Sequence, residues 1–166
     1  MIGSLFAGHL ARVCEVSVLC RRGEHALALN EHGLRVSGRN DFLAGVLAAT
    51  DPAELPEPEL AIVATKTTEL EAAAARLEGR WPGAAVMTVQ NGLGAEEAFA
   101  GRGPWPLISS VTFMSGTKHS DTEVEYILDT ETWLGPYGEA SYELVEEVTD
   151  LLVRSELKAR AFRDLR

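Results

Sequence analysis

MIGSLFAGHLARVCEVSVLCRR, residues 1–22, places a helix directly before a strand. Bulky residues recur near helical spacing over 5–10, and small residues lie on another side, which is typical of a helix packed tightly on a sheet. The apolar and β-branched run at 15–20 then predicts a buried parallel strand. This order indicates an α/β sheet with crossover helices.

The next part of the chain repeats the alternation of helix and strand. Asp51, Pro52 and Glu54 predict a helix start. Apolar runs at 60–65 and 85–89 predict two more buried strands, and Thr68 with Glu71 forms a capping-box pattern for an alanine-rich helix between them. We therefore expect a Rossmann-type, doubly wound, mostly parallel sheet.

The pattern changes after residue 105. The runs PLISSVTFMSG, EVEYIL and TETWLG are strand-like and have no helices between them, so they predict an antiparallel or mixed extension of the sheet. An amphipathic helix is expected from Ser141 to about Arg154, followed by a last strand in LKARAF. With no internal linker, residues 1–166 are predicted to form one domain.

The charge and composition of the chain argue against several classes of protein. The net charge of −10 argues against a nucleic-acid or anionic-membrane partner, since phosphate-rich surfaces need clustered lysine and arginine. No apolar run is long enough to span a bilayer and no signal peptide opens the chain, so a cytoplasmic location is expected. The two cysteines and four histidines show no metal-ligand spacing, and we predict no metal site.

Two candidate cofactor residues come from the opening stretch. Gly3 would be the third glycine of a G-x-G-x-x-G turn, in which case the first strand and two glycines lie upstream; alternatively, it is an ordinary glycine at a helix start. Arg21 follows the strand where NAD-preferring proteins carry an acid, and a planar guanidinium there suits the 2′-phosphate of NADP. The alternative is a solvated arginine pair with Glu24 nearby.

Two further candidates follow later strands. Lys66 comes after the apolar run at 60–65, where a charge is costly unless it faces a cleft or a partner. Asn91 begins a polar turn after the run at 85–89, and asparagine there can serve turn structure alone. Because ligands bind beyond the carboxyl ends of parallel strands, both positions favour a role in binding.

Several segments together resemble the N-terminal, NADP-binding domain of the ketopantoate reductases. They are GSLFAGHLAR, Arg21 at its strand end, NEHGLRV, TDPAEL, Lys66 at its strand end, VQNGLGAEE, and SVTFMSG through WLG. The resemblance runs in order across essentially the whole chain, and its most specific element is QNGLG after an apolar strand.

The resemblance implies NADPH-dependent reduction of a 2-keto acid, typically 2-dehydropantoate to pantoate on the route to coenzyme A. By the same resemblance, Gly3, Arg21, Lys66 and Asn91 would bind the cofactor. The first strand and the helical C-terminal domain with the catalytic lysine would lie outside this sequence. No catalytic residue is therefore assigned, and the chain alone is expected to be inactive.

The sequence leaves two alternative functions open and also suggests an oligomeric state. The chain could be a non-catalytic nucleotide-binding or interaction domain, or part of a related dehydrogenase acting on another 2-keto acid. A homo-oligomer is also expected, because a sheet lacking its first strand would expose unpaired backbone groups.

Overall fold

The computed structural model describes residues 1–90 and 94–165. The helices in these residues are α1 (Ile2–Leu10), α2 (Gly23–His32), α3 (Leu70–Leu77) and α4 (Tyr142–Arg154). The strands there are β1 (Ser17–Leu19), β2 (Leu34–Gly38), β3 (Phe42–Ala44), β4 (Leu47–Ala49), β5 (Leu60–Val63), β6 (Ala85–Thr88), β7 (Leu107–Thr112), β8 (Ser115–Lys118), β9 (Glu123–Leu128), β10 (Thr132–Tyr137) and β11 (Ala159–Ala161).

The chain divides into two compact units. The first unit comprises Met1–Pro56, Phe113–Thr130 and Leu151–Lys158. The second comprises Glu57–Thr112, Glu131–Asp150 and Ala159–Arg166. Helix α4 begins in the second unit, and its last residues belong to the first.

The first unit contains two small sheets. Strands β1 and β4 pair in parallel, and a four-stranded sheet has the order β3-β2-β9-β8. Helix α1 packs closely on β2, since a Cβ on Gly8 would lie 2.6 Å from Val36 Cγ2. Leu5 and Phe6 of α1 are buried. The small residues of the opening stretch therefore allow the tight helix–sheet packing predicted from the sequence.

The second unit is built on a five-stranded sheet with the order β11-β10-β7-β6-β5. Strands β5, β6 and β7 are parallel, with Leu60 beside Ala85 and Val86 beside Leu107. Strand β10 runs antiparallel to β7, and β11 runs parallel to β10. All four residues of β6 are buried, so this strand lies at the centre of the unit's core.

The predicted α/β class with a mostly parallel sheet is confirmed, including the antiparallel pairing after residue 105. Helix α4 has the predicted N-terminus, because the Ser141 hydroxyl accepts a hydrogen bond from the Leu144 N–H at 3.2 Å. The final strand, β11, also occurs where LKARAF predicted it.

Three local predictions were wrong. The β8 and β9 segments do not extend the main sheet, because the chain leaves it after Thr112 and pairs with β2 instead. The segment after Asp51 forms only one 3-10 turn, in which the Asp51 carboxylate accepts a hydrogen bond from the Ala53 N–H. Thr68 is not the N-cap of α3, because a 3-10 turn comes first and Glu69 holds the cap position.

Candidate functional site

The first candidate position is the N-terminus of α1, where Gly3 is the second helical residue. The Met1 carbonyl accepts from Ser4 N at 3.0 Å and from Leu5 N at 3.2 Å, so the N–H groups of Ile2 and Gly3 precede the first helical hydrogen bond. No side chain caps this end and no acid lies in the first turn. The end of α1 is therefore chemically suited to an anion such as a pyrophosphate.

The second candidate position is the turn between β1 and α2. Arg21 and Arg22 are exposed there, and Arg22 is the N-cap of α2 without a side-chain cap hydrogen bond. Strand β1 is shorter than predicted and only half-buried, and it ends at Leu19, one residue before the end of the predicted run. Two guanidinium groups thus precede a helix N-terminus, an arrangement that favours phosphate.

Arg22 belongs to a charged group that we call the Asp121 cluster: Arg22, His25, Lys118 and Asp121. Arg22 Nη2 lies 2.7 and 2.8 Å from the two carboxylate oxygens of Asp121, and Lys118 Nζ lies 2.7 Å from one of them. Hydrogen bonds from Lys118, then from Arg22, lower the pKa of Asp121 to about 2. The carboxylate is therefore ionised throughout the physiological range.

The cluster also includes His25 in the first turn of α2. Burial lowers the pKa of His25, with Lys118 and Arg22 acting in the same direction against Asp121. The Asp121 cluster therefore lies next to the turn that contains Arg21, within the first unit.

The remaining candidates belong to the second unit. Lys66 is exposed and lies three residues beyond the end of β5, so the expected cost of burying its charge does not arise. Lys66 is the N-cap residue of a 3-10 turn, Thr67–Glu69, and its side chain makes no capping hydrogen bond. Asn91 lies outside the described residues, and its assignment stays a prediction.

Gln90, directly before Asn91, is buried, and its Nε2 donates to the carbonyl oxygens of Val63 at 2.9 Å and Thr65 at 3.1 Å. Sequence reasoning did not single out Gln90 or Asp121. The apolar strand before Gln90 was a signal that its amide would be buried. Nothing in the sequence paired Asp121 with Arg22, which lies 99 residues away.

Helices, parallel strands and positions suited to anions define a Rossmann-type α/β domain. The family model described as "Ketopantoate reductase PanE/ApbA" matches residues 1–139. The chain belongs to this ketopantoate reductase family.

Curated relatives agree with this assignment. The 2-dehydropantoate 2-reductase of Pyrococcus horikoshii is 32% identical over 163 residues, and that of Pyrococcus abyssi is 29% identical over 164 residues. Each alignment covers 95% of this chain and 52% of the relative. The chain therefore spans about half the length of these relatives.

A solved structure shows the same fold. The D-mandelate dehydrogenase structure with NADH and anilino(oxo)acetate superposes with a TM-score of 0.87 at 20% identity. The match covers 98% of this chain and 54% of that one. Among residues 1–90 and 94–165, no helix is long and apolar enough to cross a membrane.

Proposed function

We propose that this chain is the cofactor-binding part of an NADPH-dependent reductase that converts 2-dehydropantoate to pantoate in pantothenate and coenzyme A biosynthesis. The observation that carries the proposal is the exposed pair Arg21–Arg22 between β1 and the uncapped N-terminus of α2. The names of the two Pyrococcus relatives support the substrate. A pyridine nucleotide is supported by the NADH in the mandelate dehydrogenase structure.

Each candidate residue has a binding role in this proposal. Gly3 lets the dinucleotide approach the backbone N–H groups at the start of α1. Arg21 donates two parallel hydrogen bonds to the 2′-phosphate, which an acid at that position would repel. Lys66 contributes positive charge near the same end of the cofactor, and Asn91 lies at the nicotinamide and keto-acid end. When bound, NADPH supplies the hydride that reduces the keto carbon.

The mandelate dehydrogenase similarity favours one second candidate. That structure contains NADH and a different oxo acid, on the same fold. A related dehydrogenase acting on another 2-keto acid would use the same strand ends with a different substrate pocket. Two measurements distinguish these candidates: the preference for NADPH over NADH that Arg21 confers, and the relative turnover of different 2-keto acids.

The cofactor part of the proposal is tested by titrating NADPH into the chain and following nicotinamide fluorescence. Saturable binding that adenosine 2′,5′-bisphosphate displaces is expected. Adenosine 5′-monophosphate, which lacks the 2′-phosphate, should displace it far less well. Equal displacement by the two nucleotides would contradict a 2′-phosphate site.

The substrate part is tested on a fusion of this chain to the part of the Pyrococcus horikoshii relative that it does not match. We expect NADPH oxidation with 2-dehydropantoate by the fusion and none by residues 1–166 alone, because a proton donor and a closed substrate pocket are both needed. A fusion that prefers another 2-keto acid would favour the second candidate.

A further inference from the structure

The Gln90 carboxamide ties together the ends of two parallel strands in the second unit. Gln90 lies two residues beyond β6 and is only 8% exposed. Its Nε2 donates to the carbonyl oxygens of Val63, the last residue of β5, and of Thr65. Thr65 directly precedes Lys66, and Gln90 directly precedes Asn91. A single side chain therefore joins the backbone segments that carry both proposed cofactor residues of this unit.

The orientation of this carboxamide follows from its neighbours. Both neighbouring atoms are carbonyl oxygens, which only accept hydrogen bonds, so the nitrogen must face them. Gln90 Oε1 is then left buried with no hydrogen-bond partner in the described part of the chain, and Thr65 Oγ1 is in the same state. A buried acceptor without a partner is costly, and native structures retain such groups only for a reason.

Stability is not that reason. The carbonyl of Val63 already accepts the Val89 N–H at 3.2 Å, so the sheet ladder does not need Gln90. The gain from the two side-chain hydrogen bonds is comparable to the cost of burying Oε1 unpaired. An apolar side chain of similar length would remove both effects together and leave the fold nearly as stable.

We propose that Gln90 is a positioning residue of the cofactor site, which fixes the segment leading to Lys66 against the strand end leading to Asn91. This inference rests on the proposed function, because it assigns Lys66 and Asn91 to the cofactor. Gln90 acts through its hydrogen bond to the Thr65 carbonyl. Without this hydrogen bond, the backbone before Lys66 is free to move. Ordering that backbone when the cofactor binds then lowers the affinity.

The test is a double-mutant cycle of Gln90→Met and Lys66→Ala on the full chain, with NADPH as the ligand. Gln90→Met should raise the Kd for NADPH about fivefold in the wild-type background and less than about twofold in the Lys66→Ala background, because coupled residues are not additive. Its Tm should change by less than about 3 °C.

Thr149→Val is the matched control. It also removes a buried hydrogen bond, from Thr149 Oγ1 to the Val145 carbonyl at 2.7 Å, but within α4. We expect this variant to bind NADPH like the wild type. Gln90→Asn, which keeps the amide but shortens its reach, replaces Gln90→Met if that variant does not fold.

The outcomes separate the two proposals. A wild-type chain that does not bind NADPH overturns the proposed function and this inference with it. Wild-type binding with an unchanged Kd in Gln90→Met overturns the inference alone. Full additivity with Lys66→Ala, or failure of both Gln90 variants to fold, also overturns it, because Gln90 would then act only in the sheet.

Discussion

Arg22 and Asp121, 99 residues apart, form an ion pair in which Nη2 contacts both carboxylate oxygens, at 2.7 and 2.8 Å. Lys118 donates to the same carboxylate. The Asp121 carboxylate therefore forms ion pairs with both Arg22 and Lys118, beside the turn that contains Arg21. A phosphate binding at this turn has to compete with Asp121 for those cations or bind next to its negative charge.

Removing that charge should strengthen phosphate binding. We expect Asp121→Asn to lower the Kd for adenosine 2′,5′-bisphosphate about two- to fivefold, a modest gain because the cluster is solvated and screened. Isothermal titration at low salt and at about 0.5 M salt, where the Debye length is about half of its value at 0.1 M, measures the gain in affinity and its loss on screening.

Asp41→Asn is the control for this change, because Asp41 forms a similar exposed pair with Arg35 at 2.8 Å in the same unit. Its Kd should stay at the wild-type value. A weaker affinity in Asp121→Asn would mean that Asp121 holds Arg22 and Lys118 in the binding geometry instead of competing with the ligand.

His9 predicts a pH-dependent stability. It is fully buried, its Nδ1–H donates to the Ser155 carbonyl at 3.0 Å, and the rings of Phe42 and Tyr126 pack edge-on against it. Burial, the largest effect, lowers the pKa of His9 from 6.5. Arg12 acts in the same direction, while the Ser155 hydrogen bond and the carboxylates of Glu156 and Asp129 oppose it.

Since the folded pKa of His9 is depressed, the unfolded state binds a proton that the folded state does not. The free energy of unfolding should therefore fall as pH drops below 6.5, by at most about 1.4 kcal/mol per pH unit for this group. Urea unfolding between pH 8 and 5 measures the slope. His9→Asn, which keeps a donor but does not titrate, should reduce it.

His32→Asn provides the comparison, because His32 is an exposed histidine. This variant should keep the wild-type slope. His25, whose pKa is also lowered, contributes to the slope that His9→Asn retains. A His9→Asn slope equal to that of the wild type would exclude His9 as the titrating group.

How far the sequence predicts the structure depends on the range of the interactions. Helix α4 was predicted from Ser141 to about Arg154, because amphipathicity is encoded within a few residues of the sequence. The pairing of β9 with β2 was missed, since Val124 and Val36 become neighbours only in the folded chain. The turn at Arg21 could be predicted from its place after a strand; the opposing Asp121 could not.

The open edge of β5 predicts self-association. The carbonyls of Glu59 and Val63 accept from the N–H groups of Ala85 and Val89, so the backbone groups of Leu60 and Ile62 point to the other edge. No described strand pairs there. Unpaired edges of apolar strands recruit other chains. Sedimentation velocity should show a mass that rises with concentration, and Ile62→Pro, which removes one N–H at this edge, should reduce it.

Ala61→Pro separates this effect from general damage to the sheet. Ala61 has its backbone groups on the β6 side, so proline there should lower the Tm strongly, whereas Ile62→Pro should lower it less. A mass that is independent of concentration in the wild-type chain would contradict self-association through this edge.

Whether Arg21 binds the 2′-phosphate of NADPH is decided by the Kd values for NADPH and NADH in the wild type and in Arg21→Ala, with the exposed Arg39→Ala as control. We predict that Arg21→Ala weakens NADPH binding by about 1.5–3 kcal/mol, the range for a charged hydrogen-bonded contact, and leaves NADH and the control unchanged. Equal losses for the two nucleotides would show that Arg21 does not bind the 2′-phosphate.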